Sequence, residues 1–170
     1  YPTRLLQTLM SLAPKKCESS VPTVVLLTPG HLNSAYYEHT FLSDQMGIEM
    51  VEAQDLFVEN DFLYMKTVDG PKKIDVVYRR IDDDYLDPLA YNPNSVIGVP
   101  GITHVYKTGG VNICSAPGAG IADDKAVYIY VPEMIKFYLG ETPILDNVQT
   151  WRCERAVSYT HLRAHETRRY

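Results

Sequence analysis

Short apolar runs broken by turn residues alternate along this chain with stretches whose apolar positions recur every three or four residues, an alternation that predicts an α/β sheet with flanking helices. Leu5, Leu6, Leu9 and Leu12 share one helical face and predict an amphipathic helix at the start. Thr23 to Thr28 is β-branched and apolar, and ends as a strand at Pro29-Gly30. A helix from Ser34 or Ala35 to Met46, closed by Gly47, completes a β-turn-α start. Ile48 to Glu52 predicts a second short strand. Leu56 to Val58 and Phe62 to Thr67 flank Glu59-Asn60-Asp61 as a hairpin would, and Ile74 to Tyr78 predicts the next strand. Leu86 to Gly98, with Pro88 and Pro93, reads as irregular. Gly101 to Gly120 reads as glycine-rich, with one strand near Val111 to Cys114. Asp123 or Asp124 can cap a helix that runs to Tyr130, and a second helix begins at Pro132 and stops before Gly140.

Composition narrows the class. With 170 residues, 45% of them hydrophobic and 22% charged, the chain suits one compact domain or pieces of two. No apolar stretch approaches the roughly 20 residues that span a bilayer, and no secretory leader pattern opens the chain, so a cytoplasmic protein without a membrane partner is expected. A net charge of -5 argues against a nucleic-acid surface. Cys17, Cys114 and Cys153 are too few and too far apart for a zinc site or a disulfide framework.

Both ends predict irregularities. Tyr1 falls inside the first helical pattern without an initiator, which predicts missing sequence upstream. From Val157 the chain is similar to a frame translation of a sequencing adapter, so Val157 to Tyr170 is expected to be a non-native tail. Setting it aside removes Arg163, Arg168, Arg169 and Glu166, leaving a more acidic remainder, and discards the His161/His165 pair as a metal site.

Chemistry concentrates in three places. The run Tyr78-Arg79-Arg80-Ile81-Asp82-Asp83-Asp84-Tyr85-Leu86-Asp87-Pro88 sets two permanent cations and four carboxylates directly behind a buried strand. A strand ending in Arg-Arg delivers planar forks that match carboxylate or phosphate oxygens at the sheet edge where open α/β folds bind ligands. The carboxylates can orient the forks, hold a cation or meet an amine; the bland alternative is a solvated turn with local ion pairs. Second, the loop through Asn33, Ser34, Tyr36 and Glu38 puts polar side chains at a helix start, suited to a substrate or anion, unless Asn33 or Ser34 only caps the helix. Third, Gly118-Ala119-Gly120 leads through Asp123 and Asp124 to Lys125, a point charge suited to phosphate, though this glycine spacing matches neither a dinucleotide fingerprint nor a P-loop. No nucleophile triad stands out.

In order along the chain, Leu27-Thr28-Pro29-Gly30 with Asn33 to His39, then Val77 to Asp84 with Leu86-Asp87-Pro88, then Gly120 with Ala122 to Tyr128 and Tyr138-Leu139-Gly140 resemble the circularly permuted ATP-grasp proteins, relatives of the ligase half of glutathionylspermidine synthase. The resemblance runs from about Pro2 to Arg155. It implies a Rossmann-like, pre-ATP-grasp sheet with flanking helices over residues 1–115, the start of the nucleotide-binding region over 116–156, and the tail beyond. It further implies an ATP-dependent carboxylate-amine ligase, with ATP and Mg²⁺, a small-molecule or peptide carboxylate and an amine. Arg79 and Arg80 then act on the substrate or acyl-phosphate side, Asn33, Ser34, Tyr36, Glu38, Asp82, Asp83 and Asp84 line it, and Lys125 with Asp124 contacts ATP.

Two family segments do not occur in this sequence: an acidic, Asn-containing metal-binding segment upstream, and a Lys-Pro with a glycine-rich phosphate loop downstream. The expectation is therefore a central fragment, inactive alone, with its metal ligands elsewhere. The competing class is a non-catalytic module that binds a peptide or anion on the same fold. A dinucleotide oxidoreductase is disfavoured, because Pro29-Gly30-His31 lacks a glycine triplet.

Overall fold

Chain order in the computed structural model, which describes residues 1–150, is α1 (Pro2–Ser11), β1 (Val24–Leu27), α2 (Tyr36–Met46), β2 (Glu49–Val51), β3 (Leu56–Glu59), β4 (Phe62–Thr67), β5 (Gly70–Ile74), β6 (Val76–Arg79), α3 (Asp83–Leu86), α4 (Ile102–Lys107), β7 (Asn112–Cys114), α5 (Lys125–Tyr128) and α6 (Val131–Leu139). The adapter-like stretch from Val157 lies outside the described residues. The chain divides into two compact units, the first Tyr1–Gly118 and the second beginning at Ala119.

In the first unit a parallel sheet runs in the order β2-β1-β6-β7, and β3-β4-β5 form a separate antiparallel sheet. All four residues of β1 are buried, as a central parallel strand covered on both faces requires. Alternation along it separates two cores. Val24 and Leu26 join Leu9, Leu42, Met46 and Val76 beneath α1 and α2. Val25 and Leu27 face the opposite way, into a core with Leu63, Ile74, Val77, Ile102 and Val105 contributed by the antiparallel sheet and α4. The parallel sheet is thus a middle layer, and β1 leads through α2 to β2 as a βαβ unit.

The expected strand from Ile74 to Tyr78 is two strands. Ile74 ends β5 opposite Leu63, whereas Val76 begins β6 beside Val24. Buried Asp75 makes the transfer: its N–H donates to Thr23 O (3.0 Å), its carboxylate accepts the Thr23 N–H (2.9 Å), and its carbonyl accepts the Asn112 N–H (2.9 Å). The hairpin after β3 turns on Asn60 and Asp61, both left-handed (φ 49° and 63°), the geometry a two-residue connection favours.

A helix also replaces part of the stretch read as glycine-rich: α4 is entered through Gly101 at its N-cap, whose φ of +83° suits glycine. Its free N–H groups are met from outside by buried Asp87, which accepts from Gly101 N (3.0 Å) and Thr103 N (3.0 Å) as well as Leu89 N (2.9 Å). Gly98 closes the preceding loop, since a Cβ there would collide with the Tyr85 carbonyl.

In the second unit a 3₁₀ turn (Ala119–Asp123) precedes α5 and α6. Asp124 caps α5, its carboxylate accepting the Ala126 N–H (2.8 Å). The helix expected to reach Tyr130 ends at Tyr128, and α6 ends at a left-handed Gly140 (φ 68°).

Candidate functional site

Because β1 and β6 are parallel neighbours with Leu27 beside Arg79, the loop after β1 and the Arg-Arg run leave the same edge of the sheet. The Arg80 N–H donates to Leu27 O (2.9 Å), carrying the ladder one residue past β6. Successive residues of a strand point to opposite sides, so the two guanidiniums part.

Arg79 is built in, with its side chain only 8% exposed. Its Nε donates to Ser115 O (3.0 Å), its Nη1 to Ile81 O (2.7 Å), and its Nη2 to Ala116 O (3.5 Å), while Nη1 also pairs with Asp83 Oδ1 (2.7 Å). Asp83 in turn accepts the Gly118 N–H (3.0 Å). The pair therefore fastens the segment 115–118 beyond β7, and every nitrogen of the fork faces protein.

Arg80 is different. Its Nη2 meets Glu38 Oε1 at 2.6 Å, its Nη1 approaches the Tyr78 hydroxyl at 3.5 Å, and its Cζ lies 5.9 Å from the centre of the Tyr78 ring. Side-chain exposure is 27% for Arg80 and 53% for Glu38, so this ion pair is open to solvent. Glu38 sits in the first turn of α2, where a carboxylate is favoured by the helix dipole.

Behind the pair, buried His39 shares a hydrogen bond between Nδ1 and Thr28 Oγ1 (2.9 Å), and Thr28 Oγ1 also accepts the Gly30 N–H (3.2 Å). Burial, then the positive charge of Arg80, lowers the imidazole's pKa below its ordinary value, partly opposed by Glu38. His39 is thus neutral at pH 7, and it braces the turn in which Gly30 adopts φ +101° against Glu52.

The remaining expected residues scatter. Asn33 uses its carboxamide oxygen on the Ala35 N–H (2.9 Å) and shapes the entry to α2. Ser34 is exposed and Tyr36 half-buried on the same stretch. The carboxylates of Asp82 and Asp84 are exposed and take no hydrogen bond among the described residues. Asp87 is a structural carboxylate, fully engaged by backbone N–H groups. In the second unit, Asp124 is occupied as a helix cap and Lys125 is exposed. Among the described residues no group of three or more His, Cys, Asp or Glu side chains can hold a metal ion.

Thr28, His39 and Tyr78 fall within the stretches singled out from sequence but were given no role of their own there. The spacing of His39, Leu42, Ser43 and Met46, all buried on one face of α2, is the signal that marks His39 as inward-facing.

A family model described as a circularly permuted ATP-grasp matches residues 1–168. An uncharacterized protein of Synechocystis sp. is 54% identical over 155 residues, covering 91% of this chain and 32% of that protein. An uncharacterized protein of Mycobacterium tuberculosis is 50% identical over 153 residues, 90% of this chain and 27% of its own length. A Frankia alni protein with the provisional name glutamate–cysteine ligase 2-3 is 42% identical over 132 residues, 78% of this chain and 15% of that protein. The chain thus spans about a third or less of these relatives.

Proposed function

We infer the function from one premise: this chain belongs to the circularly permuted ATP-grasp family. We propose that it forms part of a cytoplasmic ATP-dependent carboxylate-amine ligase akin to the ligase half of glutathionylspermidine synthase, in which the parallel sheet is the Rossmann-like substrate side and the second unit begins the nucleotide side. The ligase name of the Frankia alni relative supports the reaction class. The observation that carries the site is the solvent-open Arg80–Glu38 pair at the carboxyl edge of β1 and β6.

In the proposed reaction a substrate carboxylate oxygen attacks the γ-phosphorus of ATP. The new O–P bond forms as the bond to the bridging oxygen breaks, and ADP leaves with that electron pair. The amine nitrogen then attacks the acyl carbon, forming C–N, and phosphate departs with the C–O pair while the nitrogen yields its proton to solvent. Arg80 holds the carboxylate and faces the charge that develops on it. Glu38 receives the amine. Arg79 is a positioning residue that fixes the exit from β7, and Lys125 meets the nucleotide. Mg²⁺ would neutralise phosphate charge in such an enzyme, but the described residues do not fit a Mg²⁺ centre. No step here runs through one, and the chain alone is inactive.

The test uses the intact Synechocystis relative with ATP and hydroxylamine, which traps an acyl phosphate as a hydroxamate. Carboxylate-dependent hydroxamate and ADP in equal amounts are expected. ADP release indifferent to any carboxylate would refute the ligase and favour a module that binds without turnover.

A further inference from the structure

Resting on the ligase reading, we propose that Arg80 and Glu38 form an exchangeable pair: a substrate carboxylate displaces Glu38 from Arg80, and the released Glu38 takes the amine, so that binding of either substrate favours the other. Three features carry this. Glu38 holds Arg80 by one oxygen on one nitrogen, whereas a guanidinium and a free carboxylate prefer two parallel bonds. Among the described residues, Arg80 Nε and the second Glu38 oxygen have no partner, so each side has unspent capacity. His39, next to Glu38 on α2, has its proton affinity lowered first by burial and then by Arg80, with Glu38 opposing, so the Arg80 charge is felt there alongside that of Glu38. Arg79 offers no such exchange, because backbone carbonyls occupy all three of its nitrogens.

The exchange follows from charge. Nη2 belongs to both two-bonded edges of the guanidinium, so an incoming carboxylate that grips either edge lies beside the Glu38 oxygen. One cation does not compensate two adjacent carboxylates, and the weaker, one-point grip gives way. Glu38 is then an exposed, uncompensated carboxylate on the first turn of α2, which is the state that attracts an ammonium. By reciprocity, an amine drawn to Glu38 frees Arg80.

Calorimetric titration of the 170-residue chain tests this without nucleotide, using glutarate as a carboxylate lacking an amine and glycinamide as an amine lacking a carboxylate. Glu38→Gln should bind glutarate about twofold to fivefold more tightly, the scale of removing a solvent-open ion pair. Arg80→Lys should bind it at least about tenfold more weakly, the loss of one charge-assisted contact. Glycinamide should tighten glutarate binding in the wild type and leave Glu38→Gln unchanged. Glutarate binding that is no tighter in Glu38→Gln, or not saturable in either protein, overturns the exchange; inorganic phosphate binding as tightly as glutarate overturns the carboxylate assignment. Exchange without hydroxamate formation in the intact relative sinks the ligase reading alone, and hydroxamate formation without exchange sinks this inference alone.

Discussion

Replacing Asp87 by Asn should cost the first unit about 2 to 3 kcal/mol. The side chain is 1% exposed and its two oxygens accept three backbone N–H groups, from Leu89 and Gly101 on one oxygen and from Thr103 on the other. Asn keeps the shape and can keep the oxygen that serves two donors. Its amide nitrogen must then face the Thr103 N–H, which is buried, so one charge-assisted bond is lost and one donor is left unpaired. Each such loss is worth roughly 1.5 to 3 kcal/mol, and the two descriptions overlap rather than add. Asp87→Ala removes all three acceptors and should cost more, about 4 kcal/mol, with collapse of the entry to α4. Urea unfolding at pH 7 gives the stability change, and amide exchange at Gly101 and Thr103 localises it. An Asn variant within about 0.5 kcal/mol of wild type, the range of an ordinary surface change, would refute the capping role.

His39, with its pKa held below the ordinary value, binds fewer protons folded than unfolded, so its contribution is complete above about pH 6.5 and is lost as pH falls through the lowered folded value. Stability of wild type should therefore fall more steeply than that of His39→Asn as pH drops below about 6.5, read by urea midpoints; parallel profiles would show that the imidazole is not held neutral. Arg79→Ala should speed exchange of the Gly118 amide through loss of Asp83's anchor, whereas Arg80→Ala should not; equal effects from both would deny the separate roles. In a full-length relative, replacing the counterpart of Lys125 by Ala should weaken ATP binding by about tenfold with little change in melting temperature, as expected for an exposed side chain that contacts phosphate. An unchanged ATP affinity would remove Lys125 from the nucleotide site.

Much of the fold was legible because burial imposes periodicity. Val24 to Leu27 had to be covered on both faces, and Gly47 and Gly140 mark helix ends where only the left-handed conformation continues the chain without a Cβ clash. What escaped had no such signature. β5 runs through Gly70, Pro71, Lys72 and Lys73 at the edge of its sheet, where polarity and exposure erase alternation. α4 has only six residues, too few to show a helical stripe, and its cap lies in another segment. In the site, Glu38 and Arg80 stand 42 positions apart, and their meeting follows only once β1 and β6 are neighbours. The contrast between Arg79 and Arg80 was invisible for another reason: Arg79 is held largely by backbone carbonyls, which every residue possesses.

Asp75 transfers the chain from one sheet to the other without a loop, and that economy leaves no slack. Between Asn60 and Asp61 an added residue lengthens an exposed turn; between Asp75 and Val76 it would slide β6 by one step and reverse which side every later residue of the strand faces. Val76 and Val77 would trade cores with little loss, being alike. Arg79 would take the place of Arg80, putting the anchored fork into solvent, while Tyr78 would move into the place of Arg79 beside the Ser115 and Ala116 carbonyls and Arg80 would shift one residue farther from the strand. A length change of one residue at this junction is thus an inversion of the edge chemistry under an almost unaltered hydrophobic interior.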